Sequence, residues 1–397
     1  MGKKDVKSVS VQNGGLDVIY LDHAATTSVH PEVIEEMTPY FGEKYGNPSG
    51  IYEFASDNKK KLQSVRAIIA ESIGALPDEI YFTSGGSESD NWAIKSVAET
   101  MSSSGMGKHI ITSSIEHHAV LNTCRYLETK GYEVTYIGVD KDGIVSVEEI
   151  ASAIRSDTVL ISVMTANNEV GTIEPIEEIG ELAHSRGIVF HTDAVQSYGH
   201  IPLNVNEMNI DMLSASAHKF GGPKGVGFLY VKRDVKMHSF IHGGAQERGR
   251  RAGTYNVPGI VGMGKASELC AVTMSDDIKK EIKLREHLIG RVLSEIEGVY
   301  INGTRQKRLP GNINFYIENV EGQSLLILLD QKGICVSSGS ACTSGSLDPS
   351  HVLKAMGQND ERARGSVRIT LSSDNTLEQI DYVADELKRI VNQLRAK

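Results

Sequence analysis

The chain has 397 residues, 40% of them hydrophobic and 23% charged, enough to bury one large domain and a smaller one. Its 51 acidic against 41 basic residues leave a net charge of −10, which argues against a broad basic face for direct nucleic-acid binding. No apolar run is long enough to span a membrane, the first residues lack a signal-peptide core, and the four cysteines show no zinc-ligand spacing, so a reducing cytoplasm with free thiols is the expected setting.

Residues before Asp17 read as a loose polar leader. A short strand is predicted at 18–21, ending in Asp22-His-Ala-Ala-Thr-Thr27, and Tyr45-Gly-Asn-Pro-Ser-Gly50 is turn chemistry. Leu62, Val65, Ile68 and Ile69 then recur at helical spacing, with Lys59-Lys-Lys61 as a solvated helix face. From there a rhythm sets in. Strands predicted at 80–83, 109–112, 134–137, 159–163 and 188–193 alternate with helices through Trp92, Leu121 and 176–186, and an apolar run follows at 226–231. Such alternation implies a mostly parallel sheet covered on both faces. After Val231 the pattern changes. Ile278, Ile282, Ile289, Val292 and Ile296 mark a long amphipathic helix closed by Gly298. Segments 313–317 and 367–371 are strand-like, 324–329 is an apolar helix, and the last helix opens on a capping box, Thr376 with Gln379. The sequon Asn302-Gly-Thr304 is expected to be a surface turn. The expected fold class is α/β: a large domain, 18–265, with a mostly parallel central sheet, and a smaller α+β domain, 266–397 plus the N-terminal 1–17 segment.

Ser214-Ala-Ser-Ala-His-Lys219 precedes the glycine-rich turn Gly221-Gly-Pro-Lys-Gly225. A cramped ammonium is costly unless paired or neutralised, and a Schiff base to an aldehyde cofactor, typically pyridoxal 5'-phosphate (PLP), wants such a lysine; the alternative is a surface lysine in a turn. Ser84-Gly-Gly-Ser-Glu-Ser89, between a strand and a helix, is either a phosphate cup or an ordinary helix cap. His117 either lies flat on an aromatic cofactor or is satisfied in the core. Asp193, at a strand end, suits a protonated pyridine nitrogen, and Gln196 and Asn168 could bond a ring hydroxyl. These residues fall at the carboxyl ends of predicted strands, where open α/β sheets bind ligands. Cys342 lies in Val336-Ser-Ser-Gly-Ser-Ala-Cys-Thr-Ser-Gly-Ser346, a run of tiny residues that suits an exposed, reactive thiol. Cys335 reads as a packed core thiol, and Cys124 and Cys270 as structural and helical. Gly259-Ile-Val-Gly-Met-Gly-Lys-Ala266 approaches a phosphate-loop pattern, but Ala266 replaces the magnesium-binding hydroxyl and no strand precedes it. No G-x-G-x-x-G follows an early strand, which argues against a nicotinamide enzyme.

Taken together, Tyr20-Leu-Asp-His-Ala-Ala-Thr-Thr27, Gly46-Asn-Pro-Ser49, Glu88-Ser-Asp-Asn91, Glu116-His-His-Ala119, Asn167-Asn-Glu-Val-Gly171, Asp193-Ala-Val-Gln196, Ser216-Ala-His-Lys219, Glu247-Arg-Gly-Arg-Arg-Ala-Gly-Thr254 and Ser337-Ser-Gly-Ser-Ala-Cys-Thr-Ser344 resemble the cysteine desulfurases. These are PLP enzymes of aminotransferase class V with the fold type I architecture, and the last motif is similar to the branch with a long catalytic loop. The resemblance implies that Lys219 holds PLP and moves the substrate α-proton, Asp193 pairs the pyridine nitrogen, and His117 stacks on the ring. It places Gln196 and Asn168 on the hydroxyl side, Gly86, Ser87, Ser216 and His218 on the phosphate, and Thr254 on the phosphate of a second subunit, hence a homodimer. Arg368 becomes the clamp for the L-cysteine carboxylate, a fork suited to bidentate pairing, with Asn47 nearby. Cys342 takes the sulfur as a persulfide, leaving L-alanine, and hands it to an acceptor such as an iron–sulfur scaffold or a tRNA-thiolation carrier. No resident metal is implied, although Cys342 could transiently ligate an iron–sulfur cluster. A selenocysteine lyase or small-substrate aminotransferase would need Lys219 but not Cys342, and an idle binding scaffold would need neither. Three departures stand out. Gly86-Ser87 replaces the usual Ala-Thr, Ile369-Thr-Leu-Ser-Ser373 replaces the usual aromatic and glycine, and the chain ends soon after its last helix, without the scaffold-docking tail of housekeeping members.

Overall fold

The structure, a computed structural model, describes residues 12–13, 16–338 and 349–396. Seven strands build the central sheet: β1 (Ile80–Thr83), β2 (His109–Ser113), β3 (Glu133–Ile137), β4 (Thr158–Ser162), β5 (Val189–Asp193), β6 (Met212–Ser216) and β7 (Gly227–Val231). They lie in the order β3-β2-β4-β5-β6-β7-β1, with β7 antiparallel to both neighbours and the other pairs parallel. Every strand but the edge strand β3 is buried along its length, which is why these segments read as continuous apolar runs.

Helices cover both faces: α1 (Glu53–Ser72), α2 (Gly86–Ser103), α3 (His118–Glu128) and α4 (Ile176–Ser185). Side-chain alternation divides the strands between two cores. Ile111, Ile161, Phe190, Leu213 and Phe228 pack with Leu62, Val65 and Ile69 of α1. Ile110, Leu160, Val189, Met212 and Leu229 pack with Trp92, Ile94 and Val97 of α2.

A 39-residue helix, α5 (Val257–Glu295), leads out of the first core into another. There a three-stranded antiparallel sheet, β8 (Val299–Ile301), β9 (Asn312–Ile317) and β10 (Ser366–Thr370), packs against α6 (Gly322–Asp330), α7 (Leu377–Arg395) and the far half of α5 through Leu284, Leu288 and Val292. The capping box of α7 forms as its sequence predicts: the Gln379 amide donates to Thr376 Oγ1 at 3.2 Å and the Thr376 amide to Gln379 Oε1 at 3.1 Å.

Several details differ from the sequence expectation. Helix α5 starts at Val257 rather than near Ile278, so the expected boundary at 265/266 falls inside it. Its glycines, which only approach a phosphate-loop pattern, permit close helix contact: a Cβ on Gly264 would sit 2.6 Å from Val65 Cγ2 of α1. Ile19–Tyr20 pairs in parallel with Ile334–Cys335, and Ile19 and Leu21 lie in the core of the three-stranded sheet, so the N-terminal share of the smaller unit extends beyond residue 17. Cys335 is only half-buried rather than packed in a core, since it closes a two-residue strand whose other residue, Ile334, is the buried one. Asn302 of the sequon is buried, not on a surface turn; its Nδ2 donates to Asn314 Oδ1 and Ser366 Oγ, both at 2.9 Å. No helix among the described residues is long and apolar enough to cross a membrane.

Candidate active site

The carboxyl ends of the central strands bring the predicted polar residues together. Strand β6 ends in Ser216, and the single turn Ala217–Lys219 swings Lys219 back over the sheet end. Its Nζ donates to the carbonyl oxygens of Ala24 at 2.5 Å and Ala25 at 2.9 Å. Gln196 Nε2 donates to the same Ala24 oxygen at 3.0 Å, so the Asp22–Thr27 turn gathers both side chains.

Asp193 closes β5 and is buried; its Oδ1 accepts the Val195 amide at 2.9 Å. Burial lifts its pKa to about 6, with the Val195 amide and Lys219 pulling the other way. His117 caps α3, its Nδ1 accepting the Ala119 amide at 3.1 Å. Burial first, then Lys219 and His118, push its pKa down to about 4, so the ring is neutral near pH 7. A ring nitrogen of His117 and carboxylate oxygens of Asp193 and Asp90 lie within 4.8 Å of one another.

A cleft of about 410 Å³ lies beside them, lined by Ala25, Thr26, Gly85, Gly86, Ser87, Ser216, His218 and Lys224 among others. Gly86 and Ser87 open α2, whose first-turn amides have no partner inside the helix and favour an anion. Gly85 precedes them with φ 149°, backbone that suits glycine. A Cβ on Gly86 would lie 2.6 Å from Val195 Cγ2, which accounts for glycine at this position. Glu88 would oppose an anion here, but Arg251 neutralises it through contacts of 2.8 and 3.0 Å. Burial, followed by Lys219 and Lys224, lowers the His218 pKa to about 4; its Nδ1 lies 3.1 Å from Thr26 Oγ1.

Arg368, on β10, is buried, its Nη2 2.7 Å from Asp22 Oδ1 and its Nη1 donating to Asn168 O at 3.0 Å. Its Nε has no hydrogen-bond partner among the described residues. The backbone of Arg368 exchanges hydrogen bonds of 2.6 and 3.1 Å with Ser337, and Ser350 Oγ donates to the Glu169 carboxylate. Cys342 lies outside the described residues, but both described flanks are thus attached beside Arg368 and Asn168. Two predicted residues are not brought in by a single chain. Asn47 is exposed, its Oδ1 accepting the Ser49 amide at 3.0 Å, and Thr254 is exposed as well.

The residues fit PLP on observations internal to this chain: a lysine amine, a buried carboxylate and a neutral imidazole converge beside an anion cup open at a helix start. Sequence reasoning missed Asp22, the Ala24 carbonyl and Asp90. Asp22 and Asp90 stand in the quoted motifs, yet neither periodicity nor a strand end assigned them a role.

Comparison with known proteins agrees with this geometry. The pattern of the aminotransferase class-V family matches residues 19–383. A cysteine desulfurase IscS from Dictyoglomus turgidum is 53% identical over 377 residues, 95% of each chain. Another from Methanosarcina thermophila is 53% identical over 389 residues, 98% of this chain and 95% of that one. Among solved structures, a NifS-like protein superposes with a TM-score of 0.89 at 40% identity, covering 94% of this chain and 99% of that one. With the family pattern spanning nearly all of its folded length, this chain belongs to the aminotransferase class-V family.

Proposed function

We propose that the chain is a PLP-dependent cysteine desulfurase, which takes sulfur from L-cysteine, releases L-alanine and leaves a persulfide on Cys342. The observation that carries the reading is the meeting of Lys219, Asp193 and His117 at the strand ends beside the polar cleft. The choice of reaction is supported by the relatives named cysteine desulfurase at 53% identity and by the Cys342 motif. When bound, PLP supplies the electron sink for the charge left as the substrate loses its α-proton.

Each residue then has a task. Lys219 would hold the cofactor through its amine and, once free, move the substrate α-proton. Asp193 would pair the pyridine nitrogen, neutral His117 would pack on the ring, and Gln196 and Asn168 would meet its hydroxyl side. Gly86, Ser87, Ser216 and His218 would hold the phosphate. Arg368 grips the substrate carboxylate, keeping Asp22 as its second partner. The Cys342 thiolate attacks the substrate sulfur; the S–S bond forms as the C–S bond breaks, the electron pair stays on the β-carbon, which takes a proton, and Lys219 returns the α-proton to complete alanine.

The working unit is a homodimer in which Thr254 reaches the partner's phosphate, and a substrate contact for Asn47 also needs the second subunit. Exposure of both residues supports this, as do exposed Phe41, Tyr45, Ile51 and Phe54 around Asn47. The unit built on the central sheet holds the cofactor, and the unit built on the three-stranded sheet, which includes Ile19 and Leu21 and the far half of α5, carries Cys342. The sulfur goes to an acceptor protein, for iron–sulfur assembly or tRNA thiolation, in the cytoplasm. Alanine and sulfide release from L-cysteine tests the reading: Cys342→Ala protein that desulfurates cysteine at the normal rate sinks it, and so does a visible cofactor band that survives Lys219→Ala.

A further inference from the structure

Behind Asp193 stands a second carboxylate to which the reaction assigns no task. Asp90 projects from α2, is 1% exposed, and leaves its Oδ1 without a hydrogen-bond partner among the described residues. Its carboxylate lies within 4.8 Å of both Asp193 and His117. The groups facing it offer no positive charge. From β5 comes His191, whose Nε2 is 3.7 Å from Asp90 Oδ1. That ring is already engaged by hydroxyls, Nδ1 with Ser162 Oγ at 2.9 Å and Nε2 with Ser214 Oγ at 3.0 Å, and burial lowers its pKa to about 3, leaving it neutral. From β6 comes the Ser214 hydroxyl, which hydrogen-bonds to Asp90, and from the turn before α3 come neutral His117 and the buried acid Glu116. Lys219 acts on Asp193 instead.

Two carboxylates this close in a dry interior do not both ionise, because lost hydration and mutual repulsion keep a proton on one of them. Their partners decide which. Asp193 accepts a backbone amide and feels Lys219, whereas Asp90 has a hydroxyl and no cation. Burial first, then Asp193, raise the Asp90 pKa well above the ordinary carboxylate value. We propose that Asp90 works as a neutral carboxylic acid, a positioning residue that leaves Asp193 as the single negative charge facing the cofactor's ring nitrogen. The consequence for catalysis rests on the PLP reading; the protonation state does not.

Infrared difference spectra of the protein as purified, wild type against Asp90→Asn near neutral pH, provide the test. A carboxylic-acid carbonyl band is expected in the wild type, shifted in D2O and missing from Asp90→Asn. Ser214→Ala should move that band without abolishing it. The pH midpoint of the cofactor's visible absorbance should stay nearly unshifted in Asp90→Asn, since one neutral group replaces another. Loss of carboxylate rather than acid bands in Asp90→Asn would overturn the proposal. So would a band indifferent to Ser214→Ala, or a midpoint falling by about one pH unit or more, as deletion of a neighbouring buried negative charge would cause. A missing visible band would count against the PLP reading alone, and the infrared result would still decide Asp90.

Discussion

Asp193 shows how one residue is tuned from two sides. Burial alone would favour its neutral form, but the Val195 amide and Lys219 hold its pKa to about 6, so it is mainly ionised near pH 7. Asp193→Asn keeps the shape and loses the charge. The fold should survive, by unchanged circular dichroism, while saturated alanine release falls on the order of 10²–10³-fold, the scale of losing one preorganised electrostatic contact. His117 is tuned only one way. With its pKa lowered to about 4 it should contribute no activity step near the ordinary histidine value. Lys219, Asp193 and His117 were legible in the sequence because each follows an apolar run and carries unusual chemistry for that place. Asp22 was not, since its role comes from an ion pair with Arg368, 346 residues away.

Among the elements, α5 departs most from what its sequence suggests. Gly262 and Gly264 lower intrinsic helix propensity, yet they lie where α5 touches the Pro31–Met37 helix and α1. A Cβ on Gly264 meets the stiff Val65 at 2.6 and 2.9 Å, while one on Gly262 meets the flexible end of Met37. Gly264→Ala should therefore destabilise by about 1–3 kcal/mol, less the ~1 kcal/mol of improved propensity, and Gly262→Ala by less, as read by urea denaturation. The far half of the same helix carries Glu281, whose pKa is raised from 4.5 to about 8, by burial first and then by Asp277. The folded state therefore binds more protons than the unfolded state between these values, and stability falls as pH rises from 4.5 to about 8. Glu281→Gln should flatten that decline, matching wild type below pH 4.5 and exceeding it above about 8 in thermal melts. A curve as steep as the wild type would assign the slope to another group.

At the scale of the whole molecule, α5 is shared between a core of the central sheet and the core of the three-stranded sheet, and the site sits at the strand ends of the central sheet with Arg368 supplied from the three-stranded one. The exposed apolar side chains near Asn47 are the expected seat of the second subunit. Ile51, fully exposed, is the test position: Ile51→Asp should yield monomer by sedimentation and lower PLP retention, the outcome expected of the proposed reach of Thr254 to the partner's phosphate. The sequence by itself determined the cofactor chemistry, the alternating α/β order and the caps. These are local facts, carried by periodicity, turn residues and side-chain type within a few positions. Only the tertiary structure decided where α5 begins, which carboxylate faces Arg368, and that Asp90 stands beside Asp193. A glycine's tolerance in a helix, an ion pair and a shared proton depend on distances between remote segments, which no spacing along the chain encodes.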